Sequence, residues 1–318
     1  ARLPHCHPRA KRPKESLYQS VCRTFAECLQ NSDPPHKQCT MSHKRVFVSD
    51  SLAVLQEACI SAIQTLKAAD PLTALTIIVP NDLLGAQLSQ EVVWAGDGYI
   101  GLRFVTLVDF AAGITEGALA QEGQQRVSDA AAALIVRNLM QAMPGTGFPE
   151  LAQQPRLPQY FVETMTELKH AGIRPYHLQI FCAQISPQAT MYRDKMRNMF
   201  RLYDRYTEFL AEQQLVDETD LFTHSAKVVE TSAEAAETVV SDGPLLMYGC
   251  FAWTVLQRRL IETIFIQHDE QSGHDGLIFL PWRPGSAYES VTPVLTWLTG
   301  LGFQYASLSS PETLPRDL

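Results

Sequence analysis

Apolar and polar positions alternate with two different periods in the residues that follow Met41. Short, almost continuously apolar runs are typical of strands buried on both faces, whereas apolar positions spaced three and four apart are typical of amphipathic helices. The two kinds of run alternate, strand first, as Val46–Ser49, Leu52–Ala68, Leu75–Pro80, Leu83–Val93 and Arg103–Leu107. This alternation predicts a parallel sheet with helices on both faces.

The pattern becomes almost wholly helical between Ser128 and Val229. The helices predicted there are Ser128–Ala142, Leu157–Ala171, Tyr192–Gln213 and Asp217–Val229. Strand and helix patterns then return as Pro244–Tyr248, Val255–Phe265, Gly276–Pro281 and Val291–Gly300. The sequence therefore predicts an α/β fold in which a parallel sheet is interrupted by a large all-helical insertion.

Four segments are predicted along the chain. Residues 1–40 lack clean periodicity, and Met41 leads directly into the first strand, so we expect a disordered or non-native N-terminal extension. Residues 41–127 are predicted to form the first part of the α/β domain, residues 128–240 the helical insertion, and residues 241–318 the resumed α/β domain. The last segment lacks a closing element, so we expect the chain to be truncated before the rest of a longer protein.

The composition is that of a globular protein, with 46% hydrophobic and 19% charged residues. The formal net charge of −8 argues against a protein that coats nucleic acid with its whole surface, but it is compatible with a local basic groove. The seven cysteines are irregularly spaced and form no Cys-x-x-Cys pair, so we predict no metal site. With reduced thiols and no membrane-length apolar run, we expect a cytoplasmic protein.

The loop after the first strand is the place where a nucleotide-binding α/β protein carries its phosphate loop. Such a loop needs glycines, whose backbone N–H groups approach the phosphates, together with a Lys and a Ser or Thr. Here the loop consists of Ser49, Asp50 and Ser51, and the Asp50 carboxylate would repel a phosphate. We expect Ser49 or Ser51 to cap the following helix and do not expect ATP to bind here in the standard mode.

Three further strand ends carry characteristic segments. The second strand ends in a turn at Asn81, and the third has Thr106 and Phe110 at its junction with a helix. The fourth reads Leu-Leu-Met-Tyr-Gly-Cys-Phe over residues 245–251 and is followed by Gln257. In order and spacing these segments resemble the P-loop-type first domain of superfamily-one helicases. The resemblance is closer to the degenerate subunit of the AddAB/RexAB-type ATP-dependent helicase–nuclease, a PD-(D/E)XK nuclease family protein whose N-terminal half is helicase-like.

The resemblance implies that this helicase-like half does not hydrolyse ATP. Tyr248 and Gly249 stand where an active helicase has its Mg²⁺-binding Asp and water-activating Glu, and neither residue can replace them. The other degenerate ATPase positions are Ser49, Asp50 and Ser51, in the place of the phosphate loop.

The resemblance also implies contacts with DNA. Asn81, Thr106 and Phe110 match positions that touch single-stranded DNA in the active helicases, although Val108 replaces the family's His. Gln257 matches the Gln that follows the fourth motif. The segment Asp217–Leu221 is similar to one that precedes the motif-bearing strand in these proteins.

The resemblance implies a role in bacterial DNA recombination and repair, as part of a subunit that processes double-strand breaks. The expected partners are single-stranded or end DNA and the partner helicase subunit of a heterodimer. Exonuclease activity, Mg²⁺ and a 4Fe–4S cluster belong to the C-terminal nuclease domain of the parent family. We expect no catalytic residue and no cofactor in the present chain.

A second hypothesis is an α/β enzyme that binds a nucleotide or sugar at the carboxyl ends of its strands. Asp50, Asp82 and Asp109 each follow a strand and would have to converge. Capping of the helices that start there explains each of them more simply.

Three sets of side chains carry chemistry that an ordinary helix also explains. Glu167-Leu168-Lys169 is similar to the Glu-x-Lys of a nuclease site, but it lies within a predicted helix, so a solvated helix face is expected. A solvated face is also favoured over nucleic-acid binding for the basic set Arg193, Lys195, Arg197, Arg201 and Arg205. A core stripe is favoured over base stacking for the aromatic set Tyr192, Phe200, Tyr203, Tyr206 and Phe209.

Overall fold

The computed structural model describes residues 44–96, 99–184, 190–231, 245–271 and 276–308. These residues pack into two compact units. The α/β unit comprises the described residues within 44–106, 245–252 and 276–308, and the helical unit those within 107–231 and 253–271. The predicted extension of residues 1–40, with four of the seven cysteines, lies outside the described residues.

The strands are β1 (Lys44–Ser49), β2 (Leu75–Val79), β3 (Leu102–Thr106), β4 (Gln125–Arg126), β5 (Leu215–Val216), β6 (Leu245–Tyr248), β7 (Gly276–Pro281) and β8 (Gln304–Ser307). Six of them form one sheet in the order β3-β2-β6-β7-β1-β8. Every neighbouring pair in this sheet is parallel. The predicted α/β class with a parallel sheet is therefore confirmed.

The helices are α1 (Leu52–Ala69), α2 (Asp82–Ala95), α3 (Leu107–Glu122), α4 (Asp129–Gln141), α5 (Phe148–Leu151), α6 (Leu157–His170), α7 (Pro175–Gln184), α8 (Thr190–Glu212), α9 (Glu218–Thr231), α10 (Val255–Gln271) and α11 (Thr292–Gly300). A 3₁₀ turn at Glu289–Val291 precedes α11. Among the described residues, none of these helices combines the length and apolar character that crossing a bilayer requires.

The central strands of the α/β unit are apolar throughout because both of their faces are covered. All residues of β2 and β7 are buried, which is typical of a parallel sheet between two layers. Phe47 of β1 stacks on Phe279 of β7 with ring centroids 5.2 Å apart. These two rings belong to the same core as the inner faces of α1 and α2.

The helical unit has its own core, formed mainly by α4, α6, α7 and α8. Its largest members are the aromatic side chains Phe200, Tyr203 and Tyr206 of α8, together with Phe148 of α5. The core interpretation of the aromatic stripe is thus confirmed for three of its members. Tyr192, at the start of the same helix, is 64% exposed.

The structure contains elements that the sequence pattern does not predict. Helix α7 begins at Pro175, a residue that the sequence pattern suggests as the end of the preceding helix. Proline is well tolerated in the first turn of a helix, so it can also begin one. Strand β8 has no apolar alternation because it is a polar edge strand, paired on one side only, with three of its four residues exposed. The two-residue strands β4 and β5 are too short to show any period.

The boundary between the two units also differs from the predicted segments. The helical unit begins at Leu107 and includes residues 253–271, whereas the pattern predicts an insertion of residues 128–240 alone. The physical reason is packing: α9 lies against α3 and α10, so both helices join its unit.

Candidate functional site

The turn after β1, the position of a phosphate loop, is closed by its own side chains. The Ser49 hydroxyl accepts a hydrogen bond from the Ser51 N–H at 3.2 Å. The Ser51 hydroxyl in turn accepts from the Val54 N–H at 3.5 Å and caps α1. Of the two expected candidates, Ser51 is therefore the cap, and two N–H groups at this helix start already have partners within the chain.

Asp50 is held by an arginine from the neighbouring strand end. Strand β7 lies beside β1, and the Trp282 N–H donates to the Ser49 carbonyl at 2.9 Å. This contact brings Arg283 next to the turn, where its Nη1 lies 2.8 Å from Asp50 Oδ2. The negative charge that would repel a phosphate thus has a cationic partner of its own.

The three aspartates of the enzyme hypothesis do not converge. The sheet order puts β7 and β6 between β1 and β2. At a strand spacing of about 4.8 Å, the ends of β1 and β2 are roughly 14 Å apart. Asp50 and Asp82 therefore belong to separate places on the sheet edge, and Asp109 lies in the helical unit.

Strands β2 and β6 are neighbours whose onward connections leave in opposite directions, toward β3 and toward β7. In open parallel sheets such a switch point is the usual ligand crevice. The turn after β6 carries Gly249 with φ +72°, and a Cβ built there would come within 3.4 Å of Leu84 Cδ2. The Gly249 N–H donates to the Phe279 carbonyl at 3.0 Å. A larger side chain at position 249 would thus meet both backbone strain and a neighbour.

Tyr248, immediately before this turn, is part of the α/β core rather than of an open site. Its side chain is buried together with Cys59 and Phe279. Burial, with a smaller contribution from Cys59, raises the pKa of Tyr248 to about 12. Burial also raises the pKa of Cys250 to about 12. Neither group is a base or a thiolate nucleophile at neutral pH.

The remaining positions from the sequence are distributed over both units. Asn81 caps α2 with its Oδ1, which accepts from the Leu84 N–H at 2.9 Å. Thr106 is the last, half-buried residue of β3. Phe110 belongs to α3 in the helical unit, where its ring is buried. A buried ring offers no face to a base.

Gln257 is engaged in a capping box at the start of α10. Its Oε1 accepts from the Thr254 N–H at 3.0 Å, and the Thr254 hydroxyl accepts from the Gln257 N–H at 3.3 Å. This reciprocal arrangement satisfies two N–H groups at a helix start. In this conformation the Gln257 amide therefore has a structural partner.

Sequence reasoning missed a set of exposed apolar side chains at the carboxyl edge of the sheet. Leu52, Leu83 and Phe251 follow β1, β2 and β6 and are 52%, 80% and 45% exposed. Each is a large apolar residue within a turn or a first helical turn, and this position could have indicated its exposure from the sequence. All three lie at the carboxyl edge of the sheet, where parallel sheets usually bind their ligands.

A second cluster of charged groups lies in the helical unit. Lys169 of α6 is only 1% exposed, and its Nζ lies 2.6 Å from Asp217 Oδ2 and 2.7 Å from Asp220 Oδ2. The prediction of a solvated face for Lys169 is therefore wrong. The tertiary packing brings the two aspartates at the start of α9 to the end of α6, and Lys169 neutralises them there.

The pKa values of the two aspartates beside Lys169 are shifted in opposite directions. Burial alone would raise the pKa of Asp217, but the Lys169 ammonium and hydrogen bonds from Thr219 and the Asp220 N–H hold that pKa below its usual range. The pKa of Asp220 is raised, because burial outweighs the attraction of Lys169. The Tyr206 hydroxyl donates to Asp217 Oδ2 at 3.4 Å. These contacts tie α6, α8 and α9 together.

Further acids surround this cluster. A cavity of about 210 Å³ beside Tyr206 is lined by Asp129, Glu163, Asp217 and Glu218. Burial, reinforced by Asp129, raises the pKa of Glu218. Within the described part of the chain, no three Asp, Glu, His or Cys side chains are arranged to hold a metal ion.

Comparison with known proteins adds no family to these observations. No protein-family model matches the chain, and no curated protein matches it in sequence.

Proposed function

We propose that this chain is the catalytically inactive helicase-like part of a subunit that processes DNA double-strand breaks, and that it binds single-stranded DNA and a partner helicase subunit. One observation carries the proposal. On a sheet of the expected class, the turn after β1 and the end of β6, where ATP and Mg²⁺ would bind, hold side chains engaged in the protein's own hydrogen bonds and core. A parallel α/β sheet that lacks nucleotide chemistry at both of these places is compatible with a scaffold.

The turn after β1, where the phosphates of a nucleotide would bind, supports the proposal through its charge and geometry. An anion at the start of α1 would compete with the Asp50 carboxylate and with the side-chain oxygens that already accept from Ser51 and Val54. Arg283 is close to this turn, but it is engaged with Asp50 at 2.8 Å. A phosphate therefore has little to gain by binding here.

The end of β6, where an active helicase binds Mg²⁺, supports the proposal through its two residues. Tyr248 lies in the core, and Gly249 has no side chain. Magnesium needs oxygen ligands, and a hydrolytic water needs a base. These two residues do not fit a magnesium–nucleotide complex, so we derive no hydrolytic step.

The carboxyl edge retains groups suited to DNA. Thr106, Asn81 and Phe251 lie at the ends of β3, β2 and β6, which are consecutive strands of the sheet. Hydroxyl and amide groups bind phosphates and sugars, and exposed aromatic rings stack on unpaired bases. Single-stranded DNA lying across this edge would meet all three.

The proposal is tested first with nucleotide. Labelled ATP with Mg²⁺, titrated to millimolar concentration against the full chain, should give no saturable binding. Saturable binding that is lost on competition with unlabelled ATP would overturn the proposed loss of nucleotide chemistry.

The second test uses single-stranded DNA. Fluorescently labelled oligothymidylate should bind the full chain, and Phe251→Ala should weaken binding about fivefold or more, the low end of one stacked base. Trp94→Ala is the matched control, because Trp94 is a 69% exposed aromatic residue of the same unit, near the end of α2 and away from the carboxyl edge. Equal effects of the two substitutions, or no DNA binding by the unmodified chain, would contradict the proposal.

A further inference from the structure

Positive charge is scarce in the α/β unit and is placed unevenly along its strands. The described part of this unit contains five basic residues, namely Lys44, Arg45, Lys67, Arg103 and Arg283. Three of them are among the first two residues of β1 or β3 and therefore lie near the amino edge of the parallel sheet. Lys67 is buried at the same edge, because its Nζ donates to the carbonyls of Thr73 and Ile100, which precede β2 and β3. Among the described residues of this unit, Arg283 is thus the one basic residue that follows the end of a strand.

The turn after β7 holds the backbone of Arg283 at the carboxyl edge. The Trp282 N–H donates to the Ser49 carbonyl at 2.9 Å, and the Trp282 indole N–H donates to the Thr292 hydroxyl at 2.9 Å. The N–H and the hydroxyl of Ser286 donate to the Arg283 carbonyl at 3.2 Å and 2.7 Å. The turn is therefore closed by its own hydrogen bonds, whereas the Arg283 side chain is 68% exposed.

Arg283 extends the row of groups that are proposed to contact DNA. Thr106, Asn81 and Phe251 lie at the ends of β3, β2 and β6, and β7 is the next strand of the sheet. At a strand spacing of about 4.8 Å, the row from the end of β3 to the end of β7 is roughly 14 Å long. A DNA strand with about 3.4 Å per nucleotide covers this length with about four nucleotides. One strand can therefore reach all four positions.

The guanidinium of Arg283 already has one acidic partner. Its Nη1 lies 2.8 Å from Asp50 Oδ2, and the Asp50 side chain is 36% exposed. An ion pair in solvent is weak, so its partners exchange readily with other ions. A guanidinium carries five N–H donors, of which a bidentate carboxylate uses two. A phosphate can therefore bind the same guanidinium, but the charge of Asp50 opposes it.

A free phosphate and a DNA strand differ in what they gain at this position. The Asp50 carboxylate repels a free phosphate, and the other basic residues in the described part of this unit lie near the opposite edge of the sheet. A DNA strand that is already held by Thr106, Asn81 and Phe251 brings its own phosphate to Arg283 at a high local concentration. The position therefore favours the phosphate of a bound strand over a free anion.

We infer that Arg283 binds a phosphate of single-stranded DNA at the carboxyl edge, and that Asp50 competes with this phosphate and thereby limits the affinity. The inference rests on the proposed function. It adds the cation that neutralises the DNA backbone in the α/β unit and the acid that sets how strongly this cation binds.

The first variant of the full chain removes the cation. Arg283→Gln should weaken oligothymidylate binding about threefold or more at low salt. The dependence of the binding constant on salt should also become shallower, by about 0.7 in the logarithmic slope, because one phosphate contact is lost. Arg137→Gln is the matched control, because Arg137 is an exposed arginine of α4 in the helical unit.

The second variant removes the competing acid. Asp50→Asn should strengthen oligothymidylate binding about threefold, but it should change little when Arg283→Gln is also present, because the two residues then no longer compete. Asp204→Asn removes the same charge from an exposed position on α8 and controls for the effect of net charge. Fluorescence anisotropy measures each affinity, and thermal unfolding checks that each variant is folded.

The outcomes separate this inference from the proposed function. If the unmodified chain binds no single-stranded DNA, both fail. If Phe251→Ala weakens binding while Arg283→Gln does not, or does so only as much as Arg137→Gln, the inference about Arg283 alone is overturned. Equal strengthening by Asp50→Asn with and without Arg283 would overturn the competition. Inorganic phosphate that displaces oligothymidylate at constant ionic strength would show a site for free anions instead. Weaker binding by Arg283→Gln, with strengthening by Asp50→Asn only when Arg283 is present, would support the inference.

Discussion

At the scale of single residues, the buried ammonium of Lys169 shows how far tertiary context can change the role of a side chain. A lysine in the last turn of an amphipathic helix is ordinarily solvated. Here it lies between the carboxylates of Asp217 and Asp220, with Arg174 Nη1 at 3.8 Å from Asp220 Oδ1. Burying these charges is tolerable only because they are paired.

Removal of the lysine should therefore be costly. Lys169→Ala leaves two carboxylates largely buried without their main counter-charge, and we expect a loss of about 3–5 kcal/mol in the free energy of unfolding. Urea denaturation followed by circular dichroism measures the change. Lys227→Ala on α9, an exposed lysine, should change stability by no more than about 0.5 kcal/mol. A loss below about 1 kcal/mol for Lys169→Ala would contradict the role given to this cluster.

At the scale of elements, the strand ends and helix starts of the α/β unit are defined by local hydrogen bonds. Ser51 and Asn81 cap α1 and α2, and Gly249 supplies the left-handed residue that follows β6. Helix α3 of the helical unit shows the opposite use of glycine, since Gly113 lies in a helical turn with no atom within 4 Å of a built Cβ. The same residue type is thus required at one position and dispensable at the other.

This contrast can be measured. Gly249→Ala should destabilise the protein by about 1–2 kcal/mol, because alanine is strained at a positive φ. Gly113→Ala should instead stabilise it by about 0.5–1 kcal/mol through higher helix propensity. Thermal unfolding of both variants gives the sign directly. A stabilising Gly249→Ala would show that the turn after β6 can adopt another conformation.

At the scale of the whole molecule, the total charge limits how DNA can bind. The chain carries a formal net charge of −8. An acidic protein repels DNA at long range, so binding must depend on a local concentration of cations. Salt should affect this binding strongly, because it screens the local attraction.

The salt dependence gives a quantitative expectation. If about four phosphates are neutralised, the logarithm of the binding constant should fall with the logarithm of salt concentration with a slope of roughly −3. Titrations of oligothymidylate with the full chain in increasing NaCl, monitored by fluorescence anisotropy, measure the slope. A slope near zero would contradict binding through the phosphates.

Much of the architecture could be predicted because it depends on local patterns. The strands from β1 to β3, together with β6 and β7, lie within about two residues of their predicted positions. A serine cap at position 49 or 51 also followed from residue type, and the structure shows that Ser51 is the cap. The exposed ring of Phe251 and the burial of Lys169 could not be predicted, because each depends on which distant segments cover the residue.

The sequence by itself determined most of the strands and helices, since apolar periodicity and capping residues act over a few neighbouring positions. It also determined the lack of glycine and lysine after β1. Only the tertiary structure decided the strand order, which separates Asp50 from Asp82 and brings Arg283 to Asp50 across 233 residues of sequence. The physical reason is that such contacts depend on how whole elements pack, and side chains that meet in this way share no local pattern along the chain.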